Sequence, residues 1–454
     1  MKLIIIIAGL GGFLYGVDFG VIAAAEPYLM ALGIYSGTRV SLVVGAVMLG
    51  GLLSSLTAGV LCDWLGRKKM IVAAAAMFLV AIPVVCLSLD CFPILMTGRI
   101  LQGMSAGYMA VVMPMYITET LPPAIRGRGT GVFQFFLGLG LVVAAGAGCL
   151  VATYYGASDA ADLNAAGMAA AWRANFWWTM APVAVLFLGS LRLPESPVWP
   201  QRARRPLSQC NGQDARCPSA GGSQFIATAT GGMRSLLQHR YVIPFLLACL
   251  VLTFNKTTGM SSFTSYLVSI LHQAGFDGIF ANWGQLAVKL TNMLVTLVAA
   301  ALIDRKGRTW LLKVGTGGMT LGLAAIGCVF LAIERFGVQA NNFTGLLTLF
   351  AFFFMQVFYA LGPGICVWLV LSELMPSRIR ANGMAIALFL NQLAACGLAS
   401  TFRPWVEAWG WSSMFFFFAV NGALYFVTSC FIPETKGKSL EELERLFEVK
   451  RLKG

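Results

Sequence analysis

Long apolar stretches recur along this chain, and they constrain it more than any other feature. Twelve of them lie at 3–25, 39–62, 70–89, 93–118, 129–152, 174–192, 242–271, 281–303, 311–333, 345–372, 384–402 and 412–432. Most match the roughly 20 residues that an α-helix needs to cross about 30 Å of hydrocarbon. With 58% of its 454 residues hydrophobic and only 11% charged, the chain is expected to be an all-α membrane protein of twelve transmembrane helices.

Basic residues test that count, because a wrong number of spans would scramble the alternation of basic and non-basic loops. With both termini placed in the cytoplasm, only Arg39, Arg173, Arg335 and Arg403 fall in outside loops, and Arg99, Lys256 and Lys289 fall within spans. The remainder of the 32 Lys and Arg lie in inside loops and tails. The net charge of +13 then reflects topology and contact with anionic inner-leaflet lipid, and no nucleic-acid partner is expected. Eleven scattered cysteines show no CxxC or Cys/His spacing, so they read as small packing residues, and no metal site is expected. The start MKLIIIIAGLGGFLYG could pass for a secretory signal, but it runs on through Asp18 to Ala25 without a cleavage region and is read as the first span.

The polar interval after the sixth span divides the chain into two sets of six. The expected domains are an N-terminal bundle at 1–193, a cytoplasmic linker with short helices at 194–240, a C-terminal bundle at 241–432, and an amphipathic cytoplasmic helix and tail at 433–454. Short motifs repeat between the halves. A D-x-x-G-R pattern occurs at Asp63–Arg67 and again at Asp304–Arg308. An E-x-x-P-x-x-x-R pattern occurs at Glu119–Arg126 and Glu373–Arg380, and each half closes on Pro-Glu, at Glu195 and Glu434. All these groups sit at the cytoplasmic ends of helices, where partial desolvation strengthens a carboxylate–guanidinium pair. They are expected to form a cytoplasmic gate between two six-helix bundles.

The ordered set GFLYGVD, DWLGRKK, GRILQGMSAGYMAVVMPMYITETLPPAIRG, PESP, DRKGR, GPGICVWLVLSELMPSRIR and PETKGKSLEELE resembles the sugar porter family of the major facilitator superfamily, across nearly the whole chain. The resemblance implies two pseudo-symmetric six-helix bundles around a central site, alternating access, and a sugar, polyol or related small molecule as substrate. Trp64 and Val198 depart from the family's arginines at those places.

Asp18 is the anomaly of the first span. Gly12, Gly16 and Gly20 give one side of the helix a smooth packing strip, and Asp18, about 200° around from its nearest members, points away from it. Helical rise places Asp18 roughly 23 Å up the first span and Arg99 roughly 9 Å down the fourth, so in a core of about 30 Å the two opposite charges share a depth. Family members with this pair resemble proton symporters. Asp18 is therefore the expected proton carrier and Arg99 its modulator; a purely structural ion pair is the other reading.

Resemblance also carries over substrate positions: Gln134, Asn292, Trp368 and Asn391 match the family's amides and indole, groups suited to sugar hydroxyls and a ring face. The seventh span departs from the pattern. Gly259 and Tyr266 remain, but Asn255 and Lys256 stand for two glutamines, Ser261 for an asparagine, Ser265 for a tyrosine and, in the eleventh span, Gln392 for a tryptophan. Lys256 and Lys289 lie at similar estimated depths, which suggests a carboxylate or phosphate ligand, unless each snorkels to the interface or bonds carbonyls. The expectation is a monomeric secondary transporter in a bacterial inner or plasma membrane, not an enzyme, moving a sugar or polyol with a proton and using no cofactor. The alternatives are a proton-coupled carrier of an organic anion through Lys256 and Lys289, an uncoupled facilitator, and a transporter-like nutrient sensor.

Overall fold

The protein is described here by a computed structural model covering residues 2–88, 91–120, 123–156, 163–197, 239–367, 380–432 and 434. Every regular element among them is helical. The chain divides into two units, Met1–Ala229 and Thr230–Gly454. In the first are α1 (Lys2–Ala31), α2 (Gly37–Leu65), α3 (Arg67–Cys86), α4 (Phe92–Thr120), α5 (Pro123–Tyr155), α6 (Ala165–Trp177) and α7 (Met180–Leu191). In the second are α8 (His239–Thr257), α9 (Met260–Gln273), α10 (Gly278–Lys306), α11 (Arg308–Phe336), α12 (Asn342–Leu361) and α13 (Arg380–Phe431). The expected tail helix and nearly all of the expected linker helices lie outside the described residues.

Ten described helical segments are long and apolar enough to cross a membrane, and two features reconcile them with twelve spans. The seventh span, read as one helix, is broken into α8 and α9 at Gly259, whose φ of 83° is left-handed. A Cβ there would lie 2.7 Å from the Phe418 ring, so both backbone and packing require glycine. Conversely α13 runs for 52 residues, about 78 Å of helix, and turns at Gly410 (φ 84°, ψ 168°) into what are the eleventh and twelfth spans. The sixth span is likewise divided, into α6 and α7 about Trp178 and Thr179.

Glycine contacts fix the first unit. α1 lies along α5 and α2 along α4. Gly12 and Gly16 meet the backbone oxygens of Phe133 and Leu137, and Gly140 of α5 meets that of Phe13 in return. Between α2 and α4 the same reciprocity joins Gly50 to Ile100 and Gly103 to Val47. Lipid gives helices no hydrophobic reason to associate, so such backbone-to-backbone approach is what holds them. In the second unit Gly315 of α11 faces Gly362 just past α12, and α13 packs on α8 and α11.

The repeated D-x-x-G-R motif has a backbone explanation. Gly66 (φ 90°, ψ 162°) ends α2 and starts α3, and Gly307 (φ 95°, ψ 157°) does the same between α10 and α11. That region is essentially reserved for glycine. The exposed amides of the new helix are then capped by the Pro-Glu carboxylate of the same unit. Glu195 accepts from Lys68 N at 3.0 Å, and Glu434 accepts from Arg308 N and Thr309 N at 3.1 Å each. A Cβ at position 307 would lie 2.7 Å from Glu434 Oε2. Gly307→Ala is expected to cost about 1–3 kcal/mol through the forbidden dihedral alone, read as a drop in unfolding temperature. Glu434→Ala should cost about 1 kcal/mol.

Candidate functional site

Asp18 on α1 and Arg99 on α4 are 2% and 1% exposed, and the depths estimated from helical rise bring them together: Arg99 Nη1 stands 3.6 Å from Asp18 Oδ1. Sequence reasoning missed two supports. The same Nη1 donates to Gln102 Oε1 at 2.7 Å, one turn along α4, and the guanidinium carbon lies 5.3 Å from the centre of the Phe176 ring, a cation–π contact from α6. The i to i+3 spacing of Arg99 and Gln102 was the available signal. Among the described residues neither carboxylate oxygen of Asp18 accepts a hydrogen bond. The acid is held by charge alone, so neutralising it breaks one ionic contact and disturbs no hydrogen-bond network.

At one end of the first unit the other motifs converge. Arg67, fully buried, donates to Glu119 Oε1 from Nη2 at 2.9 Å and from Nε at 3.3 Å, and to the Cys62 carbonyl at 3.1 Å. Ser196 Oγ donates to the other Glu119 oxygen, and Tyr116 OH to the Pro194 carbonyl at 2.7 Å. The pairing of D-x-x-G-R with the glutamate of α4 is thus made within one unit. Glu195 and Glu434 cap the starts of α3 and α11, because the free amides of a new helix need an acceptor. The indole of Trp64 is exposed. Glu373 lies outside the described residues, as do the side chains of Asp63, Arg126, Asp304 and Arg380.

Substrate positions separate into engaged and open groups. Asn391 of α13 donates to the Leu252 carbonyl of α8 at 2.6 Å, and Asn255 reaches the Pro363 carbonyl at 3.4 Å. Tyr266 bonds the Ala399 carbonyl at 3.2 Å and stacks on Phe402 with centroids 4.3 Å apart. These three hold the second unit's helices to one another. Across the helix break Lys256 Nζ donates to Ser261 Oγ at 3.3 Å. Asn292 accepts from Gln356, a residue of α12 absent from the sequence reading, at 2.7 Å. Gln134 is exposed, Gln392 partly so, and Lys289 is buried. Trp368 lies outside the described residues. No group of three or more His, Cys, Asp or Glu among the described residues is arranged to hold a metal.

Two units of long apolar helices, one of them holding a buried ion pair at membrane depth, are the architecture of a membrane transporter. The profile described as "Sugar (and other) transporter" matches residues 4–447, so the chain belongs to that family. It is 30% identical to the arabinose-proton symporter of Bacillus subtilis (strain 168), over 97% of this chain and 93% of that one. It is 28% identical to the major myo-inositol transporter IolT of the same organism, over 99% and 94%. Among solved structures, that of a D-xylose-proton symporter superposes with a TM-score of 0.79 at 21% identity, covering 96% of this chain and 99% of that one. The fold is therefore that of the major facilitator superfamily, with twelve spans in two bundles of six.

Proposed function

We propose that this protein carries a sugar or polyol across the membrane together with a proton, by alternating access. The observation that carries the coupling is the Asp18–Arg99 pair, a buried ion pair whose acid accepts no hydrogen bond. Protonation of Asp18 removes its attraction for Arg99 and releases that one tie between α1 and α4, while loss of the proton restores the contact. The names of the relatives, an arabinose-proton symporter and a myo-inositol transporter, support both the substrate class and the coupling ion. No cofactor beyond the proton is needed.

In this reading the domains divide at 1–193, 194–240, 241–432 and 433–454, both termini are cytoplasmic, and the protein works as a monomer in a bacterial inner or plasma membrane. Arg67, Glu119, Glu195 and Glu434, with Arg308 and the acid and arginine groups that repeat them, form the cytoplasmic latch. Gln134, Lys256, Asn292, Trp368 and Gln392 contact substrate.

The test is proton entry into proteoliposomes containing a pH dye, driven by a gradient of each member of a panel of sugars and polyols. Acidification with at least one member, abolished by collapsing the proton gradient, is expected. Substrate entry with no proton signal for any member would reduce Asp18 to a structural partner of Arg99.

A further inference from the structure

α10 has two faces. Trp283, Leu290, Leu294 and Leu297 are exposed along one, as lipid-facing residues are, while Asn282, Gln285 and Lys289 are buried along the other at i, i+3 and i+7. Lys289 is 4% exposed, so it neither faces lipid nor snorkels, and among the described residues its ammonium has no hydrogen bond or ion pair. It is about 16 Å from the start of α10, near the middle of a hydrocarbon layer of about 30 Å. Gln285, one turn away, is fully buried with neither amide atom partnered among the described residues, and the Asn282 carbonyl oxygen is likewise open.

α9 packs against α10, and Gly284 meets Leu271 across the contact, since a Cβ there would lie 2.8 Å from Leu271 Cδ1. The two helices run in opposite directions, so Lys289, five residues on from Gly284, comes level with about Tyr266, at the end of the second turn of α9. That helix begins at the Gly259 break, where no side chain among the described residues caps its start, and the Ser262 hydroxyl is buried without a partner among them. A half-helix that starts inside a membrane presents the positive end of its dipole to anionic groups. The described carboxylates of this unit are occupied or remote. Asp277 caps α10, Glu434 caps α11, Glu334 accepts from Trp411 N and Ser412 N at the Gly410 turn, and Glu407 is exposed.

We propose that the second unit contains an anion subsite centred on Lys289, with Gln285 one turn away on α10 and Ser262 and the uncapped start of α9 about one to two turns farther along the facing helix, and that the transported sugar or polyol carries a carboxylate that docks there. A buried ammonium without a counter-ion is costly, and a ligand carboxylate supplies the missing charge. A single buried ammonium at this place suits one carboxylate, whereas Lys256 is partly exposed and donates to Ser261 at the helix break. Of the two intramembrane lysines, Lys289 is thereby the specificity residue. The inference rests on the transport reading above and names its substrate class.

The test uses matched pairs that differ in the acid group, D-gluconate against D-glucitol and D-glucuronate against D-glucose. Binding is measured calorimetrically on the full-length protein in detergent, and flux by counterflow in proteoliposomes. The wild type is expected to bind an acid at least tenfold more tightly than its neutral counterpart. Lys289→Met should lose that preference while retaining neutral binding, and Lys289→Arg should keep it. Equal or weaker binding of the acids by the wild type, or an unchanged preference in Lys289→Met, would overturn the subsite. Proton-coupled flux of neutral members alone overturns the subsite and leaves the transport reading standing. Acid binding without flux of any member does the reverse.

Discussion

Gly16→Val is expected to yield no stably folded protein, whereas Gly59→Val should unfold at a temperature close to wild type. A Cβ at position 16 would fall on the backbone oxygen of Leu137, and a backbone cannot swing aside as a side chain does. The neighbouring contacts, Gly12 on Phe133, Gly20 on Ala144 and Gly140 on Phe13, fix α1 against α5 along about three turns, so no local tilt relieves the clash. Overpacking a well-packed core costs typically about 1–3 kcal/mol, and backbone-on-backbone overlap exceeds that. Gly59, on α2, has nothing within 4 Å of its Cβ position and serves as the control. The measurement is thermal unfolding of purified protein in detergent together with size-exclusion homogeneity. A monodisperse Gly16→Val protein with a wild-type midpoint would contradict the packing account.

Arg99→Met should destabilise the protein by about 3–5 kcal/mol, because it leaves the Asp18 carboxylate buried with neither a counter-ion nor a hydrogen bond. Most of this is the cost of an abandoned charge and not the strength of the pair. The double variant Asp18→Asn/Arg99→Met should therefore regain more than half of the loss, even though it lacks both charges. A double variant no more stable than Arg99→Met would show that the arginine acts through Phe176 and Gln102 alone. Thermal melts of the four proteins in one detergent close the cycle.

Much of this was legible in the sequence, for identifiable reasons. Charge alternation fixed the number of spans because one miscounted helix would invert every later loop. The glycines of α1 and the level of Asp18 against Arg99 follow from helical periodicity and rise, which are nearly invariant. What stayed hidden were features set by tertiary contact. The break at Gly259 depends on a left-handed backbone and on the Phe418 ring, and neither is visible in an apolar run. Glu195 and Glu434 read as gate charges, and their second role as helix caps stayed hidden, since a sequence shows a carboxylate but not the amides nearest to it. Hydropathy ends the first span at Ala25, whereas α1 continues through Glu26 and buries it. Lys289 was visible as an intramembrane charge, but only the exposure of the opposite face of α10 shows that it is turned away from lipid.

Asp18→Asn separates coupling from transport most directly. Wild-type protein in proteoliposomes, given an acidic exterior and whichever panel substrate it exchanges, should accumulate that substrate above its external concentration. Asp18→Asn should still exchange substrate across the membrane at equal concentrations but accumulate none. Uphill accumulation by Asp18→Asn at the wild-type level would show that the proton is carried elsewhere.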